Sequence, residues 1–140
     1  RDRASFIPEL NALLADCGRL ELVDSDFSEC LGKSVRFHHS DGHTPGLLLA
    51  EVIGEKERVV FCADLIPGRA WVHLPITMGY DRFPELIIDE KKSFLDDKLA
   101  RNVLLFFTHD TDCAVAQLSC DTKGKFSTTQ EQAEWVAHAL

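Results

Sequence analysis

The chain has 140 residues, a formal net charge of -8 and 45% apolar residues. That length and apolar content suit one globular domain with a sizeable core and exclude a disordered chain. No apolar run approaches a membrane span, and the acidic balance argues against nucleic acid as the main partner.

The five cysteines, at 17, 30, 62, 113 and 120, are an odd set without CxxC spacing. A disulfide scaffold or a structural zinc finger is therefore disfavoured, and a reducing, cytoplasmic setting is expected. Cys62 reads as a small buried hydrophobe. Thiol chemistry at Cys62 or Cys113 lacks a neighbouring base in sequence. The chain starts at Arg1 and not at Met, which leaves a processed, truncated or proteolysed product open.

In chain order, Ser5 to Cys17 carries Phe6, Ile7, Leu10, Leu13 and Leu14 on one helical face, with Gly18 as its stop. Leu20 to Val23 reads as a short strand, and Ser34 to His39 as another. Leu47 to Ile53 and Arg58 to Ala63 read as two strands joined by Gly54-Glu55-Lys56-Glu57, a hairpin length. A long loop from Leu65 to Arg82 follows, of the kind that is usually functional. Pro84 opens a helix that runs to Leu99. Val103 to Phe107 and Ala114 to Leu118 are buried strands, and Gly124 to Phe126 is a short edge piece. Thr128 or Thr129 caps a last helix through Ala133, Trp135, Val136 and Leu140.

Three residues carry the chemistry. His43 sits in an Asp-Gly-His-Thr-Pro-Gly turn, Asp64 closes the run Val59 to Ala63, and His109 closes Val103 to Phe107. Each is a nitrogen or oxygen donor at a strand end, and such ends gather the chemistry of open α/β sheets. Imidazole with carboxylate suits Zn, Fe or Mn. Taken singly, each has a plainer reading: a surface histidine in a turn, a strand-end aspartate capping the next turn, a histidine satisfied by backbone. Asp110 or Asp112 could orient a ligating imidazole from behind.

These motifs resemble the metallo-beta-lactamase fold superfamily, in its C-terminal half. Residues 41 to 46 are similar to its Gly-His-Thr-Pro-Gly turn, whose histidine is a metal ligand. Cys62-Ala63-Asp64-Leu65 resembles its bridging-aspartate segment, with Ala63 where glycine is usual. Thr108-His109 resembles its final ligand histidine. The helix after the Asp64 loop, with Tyr80-Asp81 before it and Lys91-Lys92 within it, resembles the lactonase and organophosphate- or aryl-ester-hydrolase-like branch.

The resemblance implies residues 1–140 as the C-terminal part of such a domain: α/β, half of a four-layer αββα sandwich, a mixed sheet flanked by helices. It implies a metal-dependent hydrolase of ester, lactone or phosphoester bonds in which a metal-bound hydroxide attacks a small-molecule substrate. His43 would bind the first of two zinc ions (Fe or Mn being alternatives), Asp64 would bridge as the catalytic carboxylate, and His109 would bind the second. Asp110 would stand behind a histidine, and Trp71, His73 and Tyr80 would line the substrate pocket. The family's His-x-His-x-Asp-His motif is absent from this sequence. The chain alone is thus expected to be inactive and to need a missing N-terminal half or a homo-oligomer partner. The alternative is a non-catalytic binding or assembly module that keeps the fold and lost the metals.

Overall fold

A computed structural model describes residues 7–136. Helix α1 spans Pro8–Asp16, and six strands follow: β1 Val35–Ser40, β2 Leu47–Ile53, β3 Arg58–Phe61, β4 Leu104–Phe106, β5 Val115–Cys120 and β6 Phe126–Gln132. Helix α2, Pro84–Ala100, lies between β3 and β4. The strands form one sheet in the order β1-β2-β3-β4-β5-β6. Every pair is antiparallel except β3 with β4, which are parallel. A parallel pair needs a long crossover, and the 62–103 segment with α2 supplies it.

The core lies between α2 and one face of the sheet. Leu49, Val60, Leu105, Ala116 and Leu118 pack with Ile87, Phe94 and Leu95 of the helix. Along α2 the buried positions are Ile87, Lys91, Phe94, Leu95 and Lys98, a helical stripe that two lysines complete. Leu86 and Leu99, both read from the sequence as apolar helix positions, are exposed. The helix ends on Asn102 at φ +53. The Val103 amide reaches the Lys98 carbonyl at 3.0 Å and the Asn102 amide the Leu99 carbonyl at 3.2 Å, the paired bonds of a left-handed C-terminal cap.

Two expected elements differ. Leu20 to Val23 forms no strand; the Glu21 carboxylate instead accepts from the Ser28 hydroxyl and the Glu29 amide, both at 2.6 Å. At the β1 edge Phe27 forms an isolated bridge to Arg36, and the Phe37 amide donates to the Asp26 carbonyl at 2.7 Å. The last helix is also absent over the described residues: Thr128 and Thr129 lie inside β6, paired with Leu118 and Gln117. Hydrogen bonds to β5 outcompete a helix whose capping signal rested on two β-branched residues. The rest of that expected helix, residues 137–140, lies outside the described residues, as do Ser5 and Phe6 of the first.

Helix α1 forms, yet Ile7, Leu10, Leu13 and Leu14 are all exposed. The second sheet face is also partly open: register aligns Phe37, Ala50, Phe61, Phe106 and Val115 across five strands, and Phe61 is 40% exposed. Among the described residues no helix is long and apolar enough to cross a membrane. All five cysteines are free. Burial raises the Cys62 and Cys113 thiols above their usual range, so neither is an activated nucleophile.

Ala63 holds φ +45, a left-handed conformation that a Cβ makes costly. Its carbonyl accepts the Thr108 hydroxyl at 2.9 Å, so the conformation is built into the junction. Ala63→Gly should raise stability by about 1 kcal/mol, after the extra freedom glycine gives the unfolded chain. Urea denaturation checks this; a loss of stability would mean the backbone here is not strained.

Candidate metal centre

Strand register alone brings three loops to one end of the sheet. Parallel pairing sets Phe61 beside Phe106, so Asp64 and His109 emerge at equal offsets beyond neighbouring strands. Antiparallel pairing sets Ala50 against Phe61 and Ser40 against Leu47, so the β1–β2 turn with His43 overhangs the same end. Backbone bonds tie these loops together: the Cys62 amide to the Phe106 carbonyl at 2.9 Å, and the His109 amide to the Pro67 carbonyl at 2.8 Å.

The side chains converge. His43 Nε2 lies 3.3 Å from Asp64 Oδ2, and His109 Nε2 lies 3.1 Å from Asp64 Oδ1. Each oxygen of one carboxylate therefore faces a different imidazole. The side chain of Asp64 is 34% exposed and that of His109 62%, so the cluster opens to solvent on the His109 side.

The orienting carboxylate is Asp81, which the sequence reading used only as a branch marker. Its Oδ1 meets His43 Nδ1 at 2.8 Å, and its Oδ2 accepts the Met78 amide at 2.6 Å. An imidazole held through Nδ1 presents Nε2 as the free donor. A carboxylate at the end of a long loop, just before a proline-initiated helix, was the available signal.

Asp110 is engaged elsewhere. It accepts from Arg69 Nε at 2.8 Å, Arg69 Nη2 at 3.0 Å and the Arg69 amide at 3.0 Å, and the guanidinium holds its carboxyl well below the usual range. Asp110 thus secures the loop beside His109 through a salt bridge to Arg69. Arg69 also reaches Glu131 of β6 at 2.6 Å.

Of the three residues expected to line a pocket, Tyr80 stands edge-on to His43, ring centroids 5.9 Å apart, and is exposed. Trp71 is packed partly buried against the core, and its indole N–H is buried with no hydrogen-bond partner among the described residues. His73 is exposed, and its carbonyl accepts from Lys91.

Helix α2 braces the cluster. Glu90 accepts the Ser40 hydroxyl at 2.7 Å and the Asp41 and Gly42 amides at 2.9 and 3.1 Å. Gly42 is obligatory there, because a Cβ would sit 2.6 Å from Ile87 Cγ1 and 2.9 Å from the Ile87 amide. Lys91 is fully buried, and burial lowers its ammonium to about 8 against the opposing charge of Asp81.

A second acidic group, His38, Glu51 and Asp97, could in principle hold a cation. Lys98 already fills it: Nζ lies 2.7 Å from Glu51 Oε2, 2.7 Å from Asp97 Oδ2 and 2.9 Å from His38 Nε2. Arg101 adds a two-pronged contact to Glu51 and bonds to Asp97. This is an ion-pair network in which Lys98 and Arg101 already meet the carboxylates.

No protein-family profile and no curated protein matches the chain. Solved structures do. AidC, a dizinc quorum-quenching lactonase in complex with a product, superposes with a TM-score of 0.71 at 23% identity, over 94% of this chain and 45% of that one. A probable metal-dependent hydrolase from Staphylococcus aureus gives 0.67 at 20% identity, over 81% and 41%. AbOPH, a hydrolase of the beta-lactamase superfamily, gives 0.61 at 14%, over 69% and 34%. The chain spans less than half the length of each. Its mixed six-stranded α/β fold therefore matches part of a metallo-beta-lactamase-like fold.

Proposed function

We propose that this chain contributes half of a dinuclear metal site to a hydrolase of ester, lactone or phosphoester bonds. His43, Asp64 and His109 are the residues that would hold the ions, with Asp64 between the two histidines. The carrying observation is the split of the Asp64 carboxylate between two imidazoles, at 3.3 and 3.1 Å. The donor set fits: imidazole and carboxylate suit zinc first, iron or manganese next, and Asp81 behind His43 is the outer partner that a ligating histidine usually has.

A bound divalent ion supplies Lewis acidity and lowers the pKa of bound water towards neutrality. The chain's own residues do the rest. Asp81 keeps the proton on His43 Nδ1, so Nε2 stays a donor. Tyr80, beside His43 and open to solvent, borders the approach of a small substrate, with His73 and Trp71 on the same loop. The lactonase among the structural neighbours favours a lactone or related ester as substrate class.

Three ligands are too few for two ions, so the remaining donors come from another polypeptide segment. The exposed stripe of α1 and the open Phe61 face are apolar surfaces that such a segment would cover. The matched structures are more than twice as long as the part this chain covers, which favours a missing half over a second copy.

The test is reconstitution. The chain should be assayed alone, and after mixing with the polypeptide encoded upstream of it, for zinc content and for hydrolysis of a lactone, an aryl ester and a phosphotriester. Alone, the chain should bind at most one ion weakly and turn nothing over. The mixture should hold about two zinc ions and lose its activity to a chelator. A mixture that folds together yet binds no metal would leave a non-catalytic module instead.

A further inference from the structure

Glu90 and Lys91 are consecutive on α2 and grip two different loops. Glu90 takes three donors from residues 40–42: the Ser40 hydroxyl at 2.7 Å and the Asp41 and Gly42 amides at 2.9 and 3.1 Å. These residues lead directly into His43. Lys91 Nζ donates to the carbonyls of Ile76, Trp71 and His73 at 2.6, 2.9 and 3.1 Å. That loop leads into Asp81.

An ammonium has three protons, and Lys91 delivers each to a carbonyl. A fully desolvated cation in an apolar stripe costs more than a methionine would at that place, so packing alone does not explain it. Within the loop it grips, the short turn Arg69–Val72 is followed by the Ile76 amide bonded to the His73 carbonyl at 3.1 Å and the Asp81 amide to the Met78 carbonyl at 3.1 Å. Two backbone bonds close the arrangement: the Arg82 amide to the His43 carbonyl at 3.1 Å and the Phe83 amide to the Gly42 carbonyl at 2.8 Å. These bonds and the two grips from the helix surround the 2.8 Å contact of His43 Nδ1 with Asp81.

We propose that Glu90 and Lys91 are positioning residues of the metal site, which hold the His43 and Asp81 loops against α2 and thereby fix the His43 ring with Nδ1 against Asp81 and Nε2 facing Asp64. The ligand role of His43 rests on the function proposed above; the locking itself does not need a metal.

The experiment reads the hydrogen bond from His43 Nδ1 to Asp81 by nitrogen-15 NMR in the metal-free 140-residue chain. The natural chain should show a hydrogen-bonded Nδ1–H resonance. Lys91→Met should weaken or lose it. Lys98→Met removes the other buried lysine of the same helix, which touches neither loop, and should keep the natural signal despite lower stability. Zinc affinity in the reconstituted protein should fall about ten-fold or more in Lys91→Met and stay level in Lys98→Met.

If Lys91→Met does not fold, Glu90→Gln serves. It weakens the acceptor of the Ser40 hydroxyl and of the Asp41 and Gly42 amides, and the same loss is expected. A natural Nδ1–H signal in Lys91→Met or Glu90→Gln would overturn the proposal, as would an equal change in Lys98→Met. Absence of zinc binding with the change at Nδ1 intact would count against the hydrolase reading and not against this one.

Discussion

Asp64→Asn should remove metal-dependent hydrolysis from the reconstituted protein while leaving its fold intact. The carboxylate offers one oxygen to each imidazole's side of the site; an amide offers one oxygen and an NH2 group that cannot ligate. Loss of an outer partner of a ligand already costs about 10- to 100-fold in affinity or activity, so loss of the proposed bridging group should exceed about a hundred-fold in kcat/KM and lower the zinc content with it. Stability of the metal-free chain should hold or rise, because the substitution removes charge from a partly exposed acidic site. Zinc analysis, kinetics and urea denaturation on the same preparations separate these outcomes. Full activity in Asp64→Asn would remove the bridging role.

Glu51→Leu should be the most destabilising single change in the described chain. Glu51 is fully buried and is met by Lys98 at 2.7 Å, by His38 at 2.7 Å and by both outer nitrogens of Arg101. Removing one member of such a network leaves a buried cation uncompensated, at a cost of about 3–5 kcal/mol. That is a large share of the roughly 5–15 kcal/mol a domain possesses. Glu51→Leu combined with Lys98→Met should recover part of the loss, because neither charge is then stranded. Urea midpoints of the two single variants and the double variant make the check, and strict additivity would show that the pair is not coupled.

The same network sets an acid limit. Burial pushes the Glu51 carboxyl up, but hydrogen bonds from His38, Arg101 and Lys98 outweigh it and leave it well below the usual carboxylate range. Arg101 chiefly lowers Asp97 in the same way; Asp97 is 42% exposed, so its share is screened. A depressed folded pKa gives stability that is present above the unfolded value, near about 4.3 for Glu, and lost as pH falls through the folded one. Stability should therefore decline steadily below that unfolded value, and in Glu51→Leu the decline should be shallower.

Much of the frame was legible. Alternating or continuous apolar runs located five of the six strands within a few residues, and Pro84 located the start of α2. The motif order also anticipated that His43, Asp64 and His109 would end on one side of the sheet, because each follows a strand or turn whose register is set by burial. The misses share a cause. The carboxyl-terminal helix and the Leu20 strand were read from local signals, capping and hydrophobicity, where pairing with β5 and the Glu21 side chain decided otherwise. Nothing in the sequence marks Lys91 or Lys98 as buried, because hydrophobic periodicity cannot register a lysine whose charge is met by carbonyls or carboxylates across the fold.

The amino-acid order thus determined which donors exist, His43, Asp64 and His109, and that each stands at a strand end, since both follow from local composition. Only the folded chain decided which carboxylate backs which partner: Asp81 serves His43 from 38 positions away in sequence, while Asp110, beside His109 in the chain, holds Arg69. Second-layer contacts of this kind form between loops distant in sequence, and their pairing is set by how α2 seats against the sheet, which no local pattern encodes.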